Sequence, residues 1–111
     1  MSKNYMVIIV KEPNKKPRIL KIPKRIKNMS NLVGGTIEEQ RYENVIIVYN
    51  ANQKDQNLSK NQVFEDLSLK GTILVVGNDE INGDIVSLRK KQVLKYVAKM
   101  DFNAKNKEKE I

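Results

Sequence analysis

The chain has 111 residues, enough for one domain with a modest core and too few for two. It is 40% hydrophobic but only 5% aromatic, and it contains no Cys, His or Trp. Disulfides, thiolate chemistry, zinc sites built on Cys or His and imidazole-dependent triads are thereby excluded, while a net charge of +8 favours an anionic or acidic partner.

The first element is an unbroken β-branched run, Met6-Val7-Ile8-Ile9-Val10, too short for a helix. It predicts a central strand buried on both faces. The apolar stretch from Tyr5 to Val10 is shorter than a signal-peptide core or a membrane span, which predicts a cytoplasmic protein. Pro13-Asn14-Lys15-Lys16-Pro17 predicts a turn, and 18–22 alternates as the return strand of a hairpin. Pro23 stops that strand. Ile26, Met29 and Val33, with Leu32 beside them, predict a helix over 24–33 that closes at Gly34-Gly35, where a C-cap takes a left-handed residue. A second hairpin follows over 36–42 and 45–49 around Glu43-Asn44, its first strand wet on one face and its second continuously apolar. Residues 50–61 form a polar loop that leads into a short helical turn over 62–67. Gly71-Thr72-Ile73-Leu74-Val75-Val76-Gly77 is a fifth strand and Asn82-Gly83 a turn. Ser87 is the candidate N-cap of a final helix ending near Met100, whose apolar stripe is Val93, Val97 and Met100 with Leu94.

One domain is thus expected over 1–102, followed by a charged, frayed tail over 103–111. The order ββ-α-ββ-(α)-β-α predicts an α+β fold: an antiparallel or mixed sheet of about five strands, with the helices packed on one face.

Several of these residues carry a resemblance that spans 7–100. They are Val33-Gly34-Gly35-Thr36-Ile37-Glu38, Asn50, Leu58, Asn61, the run from Gly71 to Gly77, Ser87-Leu88 and Gln92. With the N-terminal hairpin they make the chain similar to a family of small domains of unknown function found in bacteriophages, plasmids and conjugative elements of low-GC bacteria. The resemblance implies a mobile-element origin and a compact α+β fold, and it brings no activity. The chain departs from the family at its last helix, which in relatives opens with Thr and acidic residues. Here Arg89-Lys90-Lys91 stand instead.

Charge is segmented along the chain. Residues 11–27 carry eight basic groups (Lys11, Lys15, Lys16, Arg18, Lys21, Lys24, Arg25, Lys27) against Glu12 alone. Residues 28–88 are net acidic, and 89–111 are basic again. Lys far outnumbers Arg, as an AT-rich coding sequence produces by default, whereas specific phosphate or base recognition draws on the planar fork of Arg. The 11–27 cluster is the leading candidate for partner binding, joined by Arg89, Lys90 and Lys91, which oppose the helix dipole unless they meet an anion or Arg89 precedes the helix start.

Other motifs read as structural. Gly34-Gly35 follows a helix and precedes a strand, the reverse of a phosphate loop. The segment from Asn78 to Asp84 has calcium-loop composition but puts Ile81 at a ligand position, so it reads as a solvated turn and no metal is expected. Glu38, Glu39 and Glu43, and Glu65 with Asp66, read as exposed carboxylates rather than acid/base pairs, so no enzyme and no cofactor are expected. Asn50 and Asn61 bracket the long polar loop, either fixing it through its own backbone or reading a ligand.

The expectation is a non-enzymatic accessory protein of a phage or mobile element. It acts by binding a host or element-encoded macromolecule, a protein first of all, with inhibition of a host defence protein as the sharpest form. The alternative is nonspecific nucleic-acid binding through 11–27 and 89–99, for which no stacking aromatic accompanies the charges. A pocket for a small phosphorylated ligand is a third reading. No membrane or metal partner is expected.

Overall fold

The computed structural model describes residues 5–54, 56–61, 63–64 and 66–109, with side chains as far as residue 101. The elements in chain order are β1 (Tyr5–Lys11), β2 (Arg18–Pro23), α1 (Ile26–Val33), β3 (Ile37–Tyr42), β4 (Val45–Asn50), β5 (Ile73–Asn78), β6 (Ile85–Val86) and α2 (Lys90–Lys109). All strand pairings are antiparallel, in the order β2-β1-β5-β4-β3, with β6 paired to β5. The α+β class and the five main strands are as the sequence predicts. The sixth strand was not expected, and two residues are too few to show a period.

The unbroken aliphatic runs take the three middle places of the main sheet. Successive side chains of a strand point to opposite faces, and here both sets are buried. Ile9, Val45, Ile47, Ile73 and Val75 join Tyr96 and Met100 of α2 on one face. Ile8, Val10, Ile46, Val48, Leu74 and Val76 join Met29 and Val33 of α1 on the other. The helices therefore cover opposite faces, which corrects the expectation that they share one. The reason is physical: strands that are apolar on both sides leave no face that water can wet, so each face needs its own cover.

Helix α1 ends as expected. Gly34 takes a left-handed φ of 82°, and the N–H groups of Gly34 and Gly35 both bond the Ser30 carbonyl, at 2.9 and 3.0 Å. Helix α2 begins differently. Ser87 is not its N-cap; its Oγ instead accepts the Val7 N–H at 2.8 Å, while the Leu88 N–H bonds the Val7 carbonyl at 2.9 Å. These bonds tie the segment after β6 to β1. Arg89 is the true cap residue, since its carbonyl takes the first helical bond, from Val93 N–H at 3.0 Å. Gln92 reaches back to the Arg89 N–H at 2.9 Å, the reciprocal half of a capping box. Only Lys90 and Lys91 of the basic triplet thus stand inside the first turn. The helix then continues to Lys109, past its expected end near Met100.

The helical turn expected over 62–67 is, in its described residues, a bend in which Leu67 N–H bonds the Phe64 carbonyl at 3.1 Å. Gln62 and Glu65 lie outside the described residues, as do the side chains of the expected tail. No helix among the described residues is long and apolar enough to cross a membrane.

Candidate functional site

The basic segment is divided by the fold. Lys11, at the end of central strand β1, is only 1% exposed, and its ammonium donates to the Glu12 carbonyl at 2.7 Å and lies 3.5 Å from Asn61 Oδ1. It is a core residue and leaves the candidate surface, because the strand that carries it is covered on both sides. Lys15 and Lys16 sit exposed in the β1–β2 turn, and Arg18 and Lys21 on β2. Glu12 offsets part of this charge through contacts at 3.5 Å to both Lys15 and Arg18. Lys24, Arg25 and Lys27 are exposed around the start of α1, where Glu39 and Asp84 line the same groove as Lys24 and Arg25. Arg89, Lys90 and Lys91 open α2 on the opposite face.

What remains is a ridge along an open edge. Among the described residues strand β2 is hydrogen-bonded only to β1. Val7 turns its N–H and C=O away from β2, toward Ser87 and Leu88. By the alternation of an antiparallel ladder, Met6, Ile8 and Val10 bond inward to Ile22, Leu20 and Arg18. The N–H and C=O of Ile19 and Lys21 then point out of the sheet. Pro23, which has no N–H, ends this short template. Ile19 is 54% exposed, and Tyr5 is 50% exposed with its ring centroid 5.9 Å from the Lys21 ammonium. An aromatic ring does therefore accompany the charges, contrary to the sequence expectation. Register places it there, across from Pro23, and linear distance concealed it.

Asn50 and Asn61 are both buried and fully engaged. Asn50 donates to the Val33 carbonyl at 3.2 Å and to Gln56 Oε1 at 2.9 Å, and accepts the Asn52 N–H at 2.7 Å. Asn61 donates to the Lys11 and Gly71 carbonyls at 2.7 and 2.8 Å. They tie the polar loop to α1, β1 and the approach to β5. Their amides are spent on backbone and neighbouring side chains, which supports the structural alternative.

Asp79 is likewise spent on its own turn, accepting the N–H groups of Ile81 and Asn82 at 3.0 and 3.4 Å. Beside it, an open cleft of about 500 Å³ is lined by Asn44, Asn78, Asp79, Glu80, Arg89 and Gln92. Carboxylates line it together with Arg89, a poor setting for a phosphate.

Sequence reasoning missed the tie between α2 and the β3–β4 turn. Glu43 takes a left-handed φ of 53° there. Its carboxylate accepts from the Tyr96 hydroxyl at 2.5 Å and the Lys95 ammonium at 3.1 Å. The Tyr96 and Lys95 bonds hold Glu43 below the usual carboxylate value of 4.5, while burial, followed by the bond to Glu43, pushes the Tyr96 hydroxyl far above the ordinary tyrosine range. A depressed folded-state value means that the stabilisation is present above about pH 4.5 and is lost as pH falls through the folded value. Thermal melts of Glu43→Gln should therefore show a shallower acid limb than the native chain. With the Glu43 side chain 47% exposed, the difference at neutral pH stays below about 1 kcal/mol.

The fold and site together define a small α+β scaffold: a six-stranded antiparallel sheet with a helix on each face and a basic open edge. The chain belongs to the family DUF3846, a domain of unknown function, whose model matches residues 6–101. No curated protein and no solved structure gives a significant match.

Proposed function

We propose that this protein is a non-enzymatic accessory module, carried by a phage or other mobile element, that works by binding a host or element-encoded protein. The contact is the β2 edge, and the partner contributes an acidic, extended segment that adds as a further strand. The observation that carries this reading is the coincidence of unpaired ladder groups at Ile19 and Lys21 with the exposed cations Lys15, Lys16, Arg18 and Lys21. Main-chain bonds supply affinity in such strand addition, and alternate side chains supply specificity. A host defence protein is the sharpest choice of partner.

Tyr5 favours a second reading, in which the same edge holds single-stranded nucleic acid with one base stacked on the ring. One experiment separates the two. Lys15, Lys16, Arg18 and Lys21 are reversed together to Glu, and both capture from nuclease-treated host lysate and anisotropy with random DNA and RNA are measured. Loss of a specific protein partner with unmeasurable nucleic-acid affinity in the native chain supports the protein reading. Salt-dependent nucleic-acid binding that Tyr5→Ala weakens supports the other, and capture unchanged by the reversal ends the edge assignment.

A further inference from the structure

The opposite edge of the sheet has a different character. Among the described residues strand β3 bonds only to β4, and residues 38–41 of it are exposed. The tight turn at Glu43-Asn44 makes Tyr42 and Val45 the closing pair, and the Thr36 carbonyl accepts the Ala51 N–H at 2.7 Å. Even-numbered residues of β3 therefore bond inward, and the N–H and C=O of Ile37, Glu39 and Arg41 point outward. The Arg41 carbonyl confirms this direction, for the Gln40 side-chain amide bonds it at 3.2 Å. Strand β3 has no proline to interrupt pairing, and the charges that guard it, Glu38, Glu39 and Arg41, are of both signs, so they repel a like-charged strand but not one of complementary order. The β2 edge, by contrast, carries Arg18, Lys21 and Pro23, so two copies of it repel.

The order of charges on β3 is self-complementary. In Ile37-Glu38-Glu39-Gln40-Arg41-Tyr42, a two-fold axis through Gln40 and normal to the sheet sets two copies antiparallel. Glu39 then faces Arg41 of the second copy, and Arg41 faces its Glu39. These are the residues whose N–H and C=O already point outward, so each opposed pair gains ladder bonds as well as opposite charge. The two side chains share the α1 face: Glu39 lines the groove beside α1, and the Arg41 guanidinium lies against Gly83 of the same groove. Gln40 meets its own copy at the axis.

We infer that a second copy of this chain pairs with β3, forming a symmetric dimer with one continuous antiparallel sheet. The dimer leaves both β2 edges open, at the two far ends, so the proposed binding edge is displayed twice. The inference does not depend on what that edge binds.

Sedimentation velocity over a concentration series tests it. The native chain should show a monomer–dimer equilibrium, with the Glu39 and Arg41 amides gaining hydrogen-exchange protection as the dimer fills. Glu39→Arg and Arg41→Glu each set like charges opposite one another twice, and each should weaken self-association by about tenfold or more. The double variant carrying both changes restores the pairing and should dimerise like the native chain. Mixing the two single variants, labelled separately, should give a heterodimer. Positions 39 and 41 are then both cationic in one chain and both anionic in the other, so every facing pair is of opposite charge. A chain that stays monomeric throughout, or a dimer indifferent to both single changes, overturns the inference. Rescue by the double variant excludes misfolding as the cause of the single-variant loss.

Discussion

Asn61→Leu is expected to destabilise the protein by about 2–5 kcal/mol, measured as a shift in the urea midpoint at unchanged slope. The side chain is 3% exposed, and its amide is the donor to two carbonyls, Lys11 at 2.7 Å and Gly71 at 2.8 Å. Leucine is of similar size and removes both donors, so each carbonyl loses a partner in a place that the loop shields from water. A buried acceptor left unsatisfied costs about 1–3 kcal/mol. Asn61 Oδ1 also faces the Lys11 ammonium at 3.5 Å, and that contact is lost too. Asn61→Asp separates the contributions. Aspartate keeps the shape and offers Lys11 a full negative charge, but it cannot donate. If the carbonyl bonds dominate, Asp destabilises nearly as much as Leu; a near-native Asp variant would instead make the Lys11 contact the main one.

The second large effect is expected at Gly77. A Cβ built there lies 2.6 Å from the Ser87 carbonyl oxygen and 2.9 Å from that of Val86, both backbone atoms that no rotamer change can move aside. Gly77 pairs with Val45 on one side and Val86 on the other, so the crowding is fixed by the ladder itself. Gly77→Ala should therefore cost about 1–3 kcal/mol as overpacking and should detach β6 first. The local signature is loss of hydrogen-exchange protection at the Leu88 amide, which bonds the Val7 carbonyl. Gly34→Ala is the informative comparison. There the Cβ meets nothing, but φ is 82°, so the expected loss is only about 1–2 kcal/mol and comes from backbone strain alone. The two glycines are both required, one for space and one for conformation.

How legible was the candidate site? The cations of the β2 edge stand together in the sequence, so their cluster could be read directly. Lys11 could not be separated from them, because burial depends on which strands flank β1 and what covers them. Tyr5 was hidden for a similar reason, being brought to Lys21 only by the hairpin register. The Glu43–Tyr96 bond joins residues 53 positions apart, and no local period announces it. The helix-opening cations were half legible: placing Arg89 at the cap was one of two available readings, and Gln92 is what decided it.

The sequence by itself determined the strands β1, β4 and β5, as continuous β-branched runs, and the end of α1, since only a left-handed residue closes that turn. These are local properties, set by backbone sterics and by how many residues an apolar stretch contains. It also held, unread, the need for two covers, because a strand apolar on both sides implies a sheet without a wet face. Strand order, the two open edges, the inward course of Lys11 and the bonds of Asn50 and Asn61 were decided by the tertiary structure. Each depends on contacts between distant segments, whose pairing is selected by the packing of the whole sheet rather than by any window of neighbouring residues.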